Sequence, residues 1–161
     1  QMFYAETQNK ILFAITGNTA AEIIINRANA NLPNMALTSW KGKVVRKQDI
    51  YIAKNYLTED EIDHLNRFVT VFLETAELRA KNRQDITMAF WKENIDKIIL
   101  FNDKKILQGK GKVSHPQMEK KVSGIFEDFD SKRKISEAKQ ADQQDLDELK
   151  ALETKIKSNK K

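Results

Sequence analysis

Residues 53–61 read Ala-Lys-Asn-Tyr-Leu-Thr-Glu-Asp-Glu, and they lead into a long amphipathic run that ends at Asn82-Arg83. Thr58 and Glu61 have the spacing of a capping box, in which the hydroxyl and the carboxylate each accept a hydrogen bond from a backbone N–H. The three acidic residues at 59–61 also lie where the helix dipole favours negative charge. We therefore predict a helix from residue 58 to residue 83, roughly 36 Å long at 1.5 Å per residue.

The apolar stripe of this run is unusually broad. Its members recur at spacings of three and four residues or widen that pattern: Ile62, Leu65, Phe68, Val69, Val71, Phe72, Leu73, Ala76 and Ala80. A stripe over more than half of a helix surface is typical of a helix that is covered on several sides. We expect this helix to lie at the centre of the fold.

Shorter amphipathic runs surround the central one. We predict helices over residues 2–16 and 19–29, from Thr87 through a continuation or kink near Asn102-Asp103 to a point before Gly109, and from Ser114 to about 130. The helix after Thr87 should turn these side chains inward: Met88, Trp91, Ile95, Ile98, Ile99 and Phe101. The sequence thus predicts an all-α fold, a compact multi-helix domain around one long central helix. The exception is a short extended segment near 43–52, followed by a helical turn over 49–57.

The character of the chain changes near Asp130. Residues 131–161 contain no aromatic residue and few aliphatic ones. A heptad pattern with aspartate at two core positions runs through Ile135, Ala138, Asp142, Asp145, Leu149, Leu152 and Ile156. We predict a helical domain over 1–130 and a charged helical extension over 131–161, either solvated on all sides or a weak coiled-coil partner.

Composition excludes several classes of protein. The 161 residues include no cysteine, which excludes disulfides, thiolate nucleophiles and cysteine-ligated metals. No apolar run approaches the ~20 residues that span a bilayer, and there is no signal-peptide pattern. We expect a cytoplasmic fragment of a longer protein, because helical periodicity begins by Phe3. The net charge of +5 permits an acidic partner but is also ordinary solubility charge.

Signals of catalytic or metal chemistry are weak. Asp60 and His64 lie one helical turn apart and could face an ion, but a partly buried structural histidine explains the pattern better. Residues 109–114, Gly-Lys-Gly-Lys-Val-Ser, would suit a phosphate at a helix start but lack the Walker spacing, so an ordinary loop is favoured. We predict no metal and no cofactor.

A basic segment mixes cations with aromatic side chains. Its nucleic-acid contact candidates are Trp40, Lys41, Lys43, Arg46 and Lys47. This composition is typical of phosphate contacts. A solvated basic surface beside a core tryptophan gives the same pattern, and that simpler interpretation is preferred.

The order of several short motifs resembles the C-terminal part of the RhuM family of bacterial, virulence-associated proteins. The matching segments between Phe3 and Ser114 include 8–10 (Gln-Asn-Lys), 19–24 (Thr-Ala-Ala-Glu-Ile-Ile), 33–35 (Pro-Asn-Met), 37–40 (Leu-Thr-Ser-Trp), 53–57 (Ala-Lys-Asn-Tyr-Leu) and 111–114 (Gly-Lys-Val-Ser). The resemblance implies a preceding helix-turn-helix DNA-binding module, a mobile-element or virulence-island context, and relatives linked to Fic/Doc toxins. The chain lacks the Fic catalytic motif. It also departs from the family pattern at Asn29, Ala36 and Phe90, where aspartate, glycine and an acid are usual.

Two functions follow from these expectations. The first is a non-catalytic partner-binding or regulatory module of a DNA-associated protein, which binds a protein or itself, with weak nucleic-acid contact and no membrane. The second is an enzyme of unknown reaction, with a polar cleft built from Glu22, Arg27, Asn34, Thr38, Lys54, Asn55 and Tyr56. Glu22 with Arg27 or Lys54 could do acid–base work. Equally, these residues could be a buried ion pair and loop clamps that fix the fold.

Overall fold

A computed structural model describes the backbone of residues 2–158 and the side chains of residues 4–155. It contains five α-helices, which are α1 (Met2–Thr16), α2 (Ala20–Arg27), α3 (Glu59–Lys81), α4 (Met88–Phe101) and α5 (His115–Ser158). Three short 3-10 helices lie between α2 and α3, at Pro33–Ala36, Asp49–Tyr51 and Ala53–Tyr56. No β-strand occurs within residues 2–158, so the all-α prediction is confirmed. No helix in this range is long and apolar enough to cross a bilayer.

The helix starts follow the capping residues in the sequence. The Thr58 hydroxyl accepts from the Glu61 N–H at 3.3 Å, and the Glu61 carboxylate accepts from the Thr58 N–H at 2.9 Å, which completes the predicted box. Thr87 caps α4 by accepting from the Phe90 N–H at 3.1 Å. These local signals therefore fix the first turns of α3 and α4.

The segment between α2 and α3 forms loops and short turns. The helical turn expected over 49–57 is present as two 3-10 helices, whereas residues 43–48 are irregular and form no strand. Three successive residues, Asn34, Met35 and Ala36, have left-handed φ values of 52°, 58° and 64°. This conformation is unfavourable for residues other than glycine. It places the Met35 side chain in the interior, where its exposed fraction is 0%.

Buried side chains form two cores. The large core gathers α2, the first half of α5 and the segment before α3, and consists of Leu12, Ile23, Ile24, Met35, Leu37, Val45, Ile50, Ala53, Tyr56, Leu57, Met118, Val122 and Phe129. The small core lies between α1, α3 and α4 and consists of Ile11, Ala14, Phe68, Ile95 and Ile99. Helix α1 contributes to both cores, so it joins the two halves of the domain.

Helix α3 is less covered than its stripe predicts. Phe68 is its only buried residue, while Val69, Leu73 and Leu78 are exposed. The expectation of a helix covered on several sides is therefore wrong, because α3 packs mainly against α1 along one face. In α4 the inward orientation of Met88 and Phe101 is also wrong, since these side chains are 48% and 89% exposed. The helix ends at Phe101 and does not continue towards Gly109.

Helix α5 passes through residue 130 without a break. Phe129 is its last buried side chain, and every described side chain from Lys134 to Lys155 is exposed. The predicted heptad extends to Ile156, whose side chain lies outside the described residues. The division into a 1–130 domain and a 131–161 extension stays a prediction.

Candidate functional site

Arg27 of the predicted polar cluster forms a bidentate ion pair with Glu61, which is not a member of that cluster. The Arg27 guanidinium, at the end of α2, donates to both Glu61 carboxylate oxygens at 2.6 Å and to the Tyr56 carbonyl at 2.7 Å. The hydrogen bonds from Arg27 lower the pKa of the Glu61 carboxyl despite its partial burial. Such a bidentate pair holds planar groups in fixed geometry. It clamps α2 to the start of α3.

Asn55 organises the loop that precedes α3. Its carbonyl accepts from the Thr38 N–H at 2.7 Å, and its side-chain amide donates to the Asp49 carbonyl at 2.9 Å. The Thr38 hydroxyl donates to the Leu57 carbonyl at 2.7 Å. These bonds satisfy backbone groups of a loop that has no strand partner, so Asn55 and Thr38 act as loop clamps.

Tyr56 is a core residue. Its ring is 2% exposed, and its hydroxyl donates to the Ile50 carbonyl at 3.1 Å. Burial raises the pKa of this hydroxyl above its ordinary range. The side chain therefore stays neutral and inside the large core.

Glu22 binds the loop that resembled a phosphate site. Its carboxylate accepts from the Thr19 N–H at 2.8 Å and from the Lys112 N–H at 2.7 Å. Burial opposes ionisation, but these two N–H groups outweigh it and lower the pKa of the carboxyl. Gly111 is needed here, because a Cβ atom at this position would lie 2.7 Å from the Thr19 methyl carbon. The backbone N–H of Lys112 therefore already donates to a carboxylate of this chain, that of Glu22.

The last two members of the predicted cluster are exposed. The side chains of Asn34 and Lys54 project from the loops, and within residues 4–155 neither has a hydrogen bond or ion pair. The seven residues therefore fall into separate contacts: Arg27 with Glu61, Asn55 with its loop, Tyr56 in the core, and Glu22 with the 109–114 loop. They do not line one common cleft in this arrangement.

The basic segment forms a surface of unpaired cations. Lys41, Lys43, Arg46 and Lys47 are exposed, and among the described residues none of them has an ion-pair partner. Trp40 packs against the large core, with its indole nitrogen buried and without a hydrogen-bond partner in the described part of the chain. Its ring is therefore mostly turned to the interior.

No metal site is evident in the part of the chain that the structure describes. Within it, no three His, Asp or Glu side chains lie close enough to hold an ion. His64 is exposed on α3, so its interpretation as a partly buried structural histidine is wrong.

An apolar groove between α1, α3 and α4 was not identified from the sequence. Its volume is about 280 Å³, and it is lined by Tyr4, Thr7, Ile11, Val69, Phe72, Leu73, Met88, Trp91 and Ile95. Phe72 and Trp91 form its floor, with ring centroids 5.5 Å apart in an edge-to-face arrangement. The one signal for it was the breadth of the α3 stripe, which exceeds what α1 and α4 cover.

Comparisons with known proteins give one match. A model of the Virulence protein RhuM family matches residues 1–137. No curated protein and no solved structure matches the chain. The matched region contains both cores and the groove, and it ends within α5 shortly after Phe129.

Proposed function

This chain belongs to the Virulence protein RhuM family, and we propose that it is a non-catalytic module that binds a partner protein through the apolar groove between α1, α3 and α4. The occupant we propose is an amphipathic helix of that partner. In this proposal the module works in the cytoplasm, as the regulatory part of a DNA-associated protein of a mobile element or virulence island.

The observation that supports this proposal is the exposure of large apolar side chains around the groove. Val69 is 45% exposed, Leu73 66% and Met88 48%, and they lie side by side on two helices. A contiguous apolar surface of this kind is typical of an interaction site, whereas isolated apolar residues are not.

The chemistry of the lining favours a helix over a small polar ligand. Only the hydroxyls of Tyr4 and Thr7 interrupt the apolar wall, and no lining residue carries a charge. Small-molecule sites usually add a few converging polar groups that orient the ligand. A groove between helices instead accepts apolar side chains spaced at i, i+3, i+4 and i+7 on a partner helix.

The hydrogen bonds that the polar residues make within the fold support a non-catalytic module. Arg27 and Glu61 satisfy each other, and Glu22 is held by two backbone N–H groups. A general acid or base has to reach a substrate proton, and these carboxylates already accept hydrogen bonds within the fold.

The test uses a phage-displayed library of amphipathic helical peptides, selected on the wild-type chain. We expect enriched peptides with an i, i+3, i+4, i+7 apolar pattern that lose binding to a Leu73→Glu variant. Leu78→Glu is the matched control, because Leu78 is equally exposed on α3 but lies outside the groove. If no enriched peptide distinguishes the two variants, the groove is not the binding site.

The unpaired cations favour a second candidate, a weak contact with nucleic-acid phosphates. If Lys43, Arg46 and Lys47 neutralise phosphates of duplex DNA, the slope of log affinity against log salt is about −0.9 per phosphate contacted. Alanine at all three positions should flatten this slope equally for every DNA sequence. A Lys132→Ala variant serves as the control, since that cation is already bonded to Asp128.

A further inference from the structure

Helix α5 carries two apolar stripes that lie on opposite sides of the helix. Met118, Val122 and Phe129 face the large core, whereas Leu149 and Leu152 are exposed by 60% and 55%. Leu149 follows Val122 by 27 residues, which is about 7.5 turns at 3.6 residues per turn. The second stripe therefore points away from the body of the domain.

The second stripe cannot be covered by its own domain. Helix α5 is continuous from His115 to Ser158, so the far half cannot fold back on the near half. All described side chains from Lys134 to Lys155 are exposed. A helix that packs against nothing buries little apolar surface, whereas most helical stability in proteins comes from the packing of an apolar face. Leu149 and Leu152 therefore remain available for packing against a different chain.

We propose that a second copy of this chain covers it, with the two α5 extensions packed antiparallel. The stripe follows the heptad positions of Leu149 and Leu152, but the two preceding positions are Asp142 and Asp145. In a parallel pair in register, each aspartate would face the same aspartate of the second chain. Like charges at core positions destabilise a coiled coil. In an antiparallel pair centred between residues 150 and 151, Leu149 faces Leu152 of the second copy.

The charge distribution along the extension is complementary to its own reverse. An acidic block, Asp142, Asp145, Asp147 and Glu148, is followed by a mainly basic block over residues 150–157, in which three lysines outnumber Glu153. Antiparallel packing places residues 143–148 beside residues 153–158 of the second copy, where Lys155 and Lys157 outnumber Glu153. The same alignment puts Glu148 beside Lys155 of the second copy. Charges of this kind at flanking positions set the orientation of helices more than the strength of their association.

The two domain bodies do not collide in this alignment. The body ends near Arg133, which is partly buried against Asp130, and the helix is exposed beyond it. Residue 133 of the second copy would lie beyond the last residue, 161, of the first copy. The two bodies then sit about 50 Å apart along the shared axis at 1.5 Å per residue. The dimer should be elongated.

Sedimentation equilibrium of the full chain tests this inference. We expect the wild type to form a dimer, and Leu149→Asp with Leu152→Asp to raise its dissociation constant by more than about tenfold. Gln140→Asp with Gln144→Asp is the matched control, because it adds the same charge to the opposite face of the helix. A wild type that stays monomeric up to near-millimolar concentration overturns the proposal, and so does equal weakening by both variants.

Engineered cysteines test the orientation, since the chain has no cysteine of its own. Mixing Glu148→Cys with Lys155→Cys chains should give a mixed disulfide under mild oxidation, because these positions meet in the antiparallel pair. Asp145→Cys alone should remain reduced. Rapid formation of a disulfide between two Asp145→Cys chains would show parallel packing and overturn the proposal.

This inference is independent of the groove. Leu73→Glu should abolish peptide binding at the groove and leave the sedimentation of the dimer unchanged, so the two proposals can fail separately. If Leu73→Glu instead dissociates the dimer, the second copy binds at the groove and the α5 pairing is wrong.

Discussion

The large core and the small core are built from different kinds of structure. Loops and 3-10 helices supply just over half of the large core, and residues such as Met35, Ile50 and Leu57 are completely buried there. The small core consists only of regular helices, yet its helices expose Val69, Leu73 and Met88. Regular structure and burial are therefore uncoupled in this chain. The exposed apolar side chains of the small core line the groove between its helices.

The largest expected effect comes from matched truncations in the two cores. Ile24 and Ile99 are 1% and 0% exposed, so Ile→Ala removes the same atoms from each core. We expect losses in the range of about 2–5 kcal/mol, with Ile24→Ala near the upper end. Ile99→Ala should fall near the lower end, because its neighbours border an open groove and can relax into the space. Urea denaturation measures both.

Leu100→Ala is the control for this pair, since Leu100 is adjacent to Ile99 but mostly exposed. It should change the free energy of unfolding by less than about 0.5 kcal/mol. Equal losses for Ile24→Ala and Ile99→Ala would mean that the small core is packed as tightly as the large one.

The second prediction breaks the link between the two cores. Arg27 lies on α2, a helix that packs in the large core. Glu61 lies in the first turn of α3, a helix that packs in the small core. Arg27→Ala leaves the Glu61 carboxylate and the Tyr56 carbonyl without their donor, and we expect a loss of about 2 kcal/mol in the free energy of unfolding. Thermal denaturation should remain a single transition if the cores still unfold together, and should split if this clamp couples them.

The same link predicts a dependence on pH. The folded-state pKa of Glu61 is lowered, chiefly by Arg27, so its contribution is present above the unfolded pKa and is lost as the pH falls through the folded value. The wild type should therefore lose more stability below a pH of roughly 4 than Glu61→Gln does. Glu74→Gln, which changes an exposed position on α3, should behave like the wild type.

The elements that the sequence predicted well are those with local signals. Thr58, Glu61 and Thr87 mark helix starts by contacts within one turn, and periodicity places α1 and α3 closely. Burial of the α3 stripe was predicted wrongly, because periodicity shows which face is apolar but not what lies against it. The polar contacts were identified only as residue types. Arg27 is 34 residues from Glu61, and Glu22 is 90 residues from Lys112, so nothing local pairs them.

The third prediction concerns the left-handed turn in the large core. Ala36 has φ of 64° where glycine would carry no steric penalty. Ala36→Gly should relieve about 1–2 kcal/mol of backbone strain and lose about 0.5–1 kcal/mol to chain entropy, a net gain of up to about 1.5 kcal/mol. Ala76→Gly, within α3 of the small core, should cost about 1 kcal/mol. If both substitutions destabilise the protein in urea, the turn is not strained.

The smallest effect is expected from removing the part of α5 that belongs to neither core. A chain that ends at residue 133 should keep the melting temperature of the full-length monomer, because no described side chain beyond Arg133 is buried. A chain that ends at residue 130 loses the Arg133–Asp130 pair and the 2.7 Å bond from Lys132 to Asn31, so it should melt slightly lower. Calorimetry at equal concentration separates the two cuts. A large drop in the melting temperature of the chain that ends at residue 133 would mean that the extension stabilises the domain. The boundary near residue 130 would then be misplaced. An unchanged melting temperature with loss of the dimer would assign the extension to association alone, since burial in the two cores is complete without it.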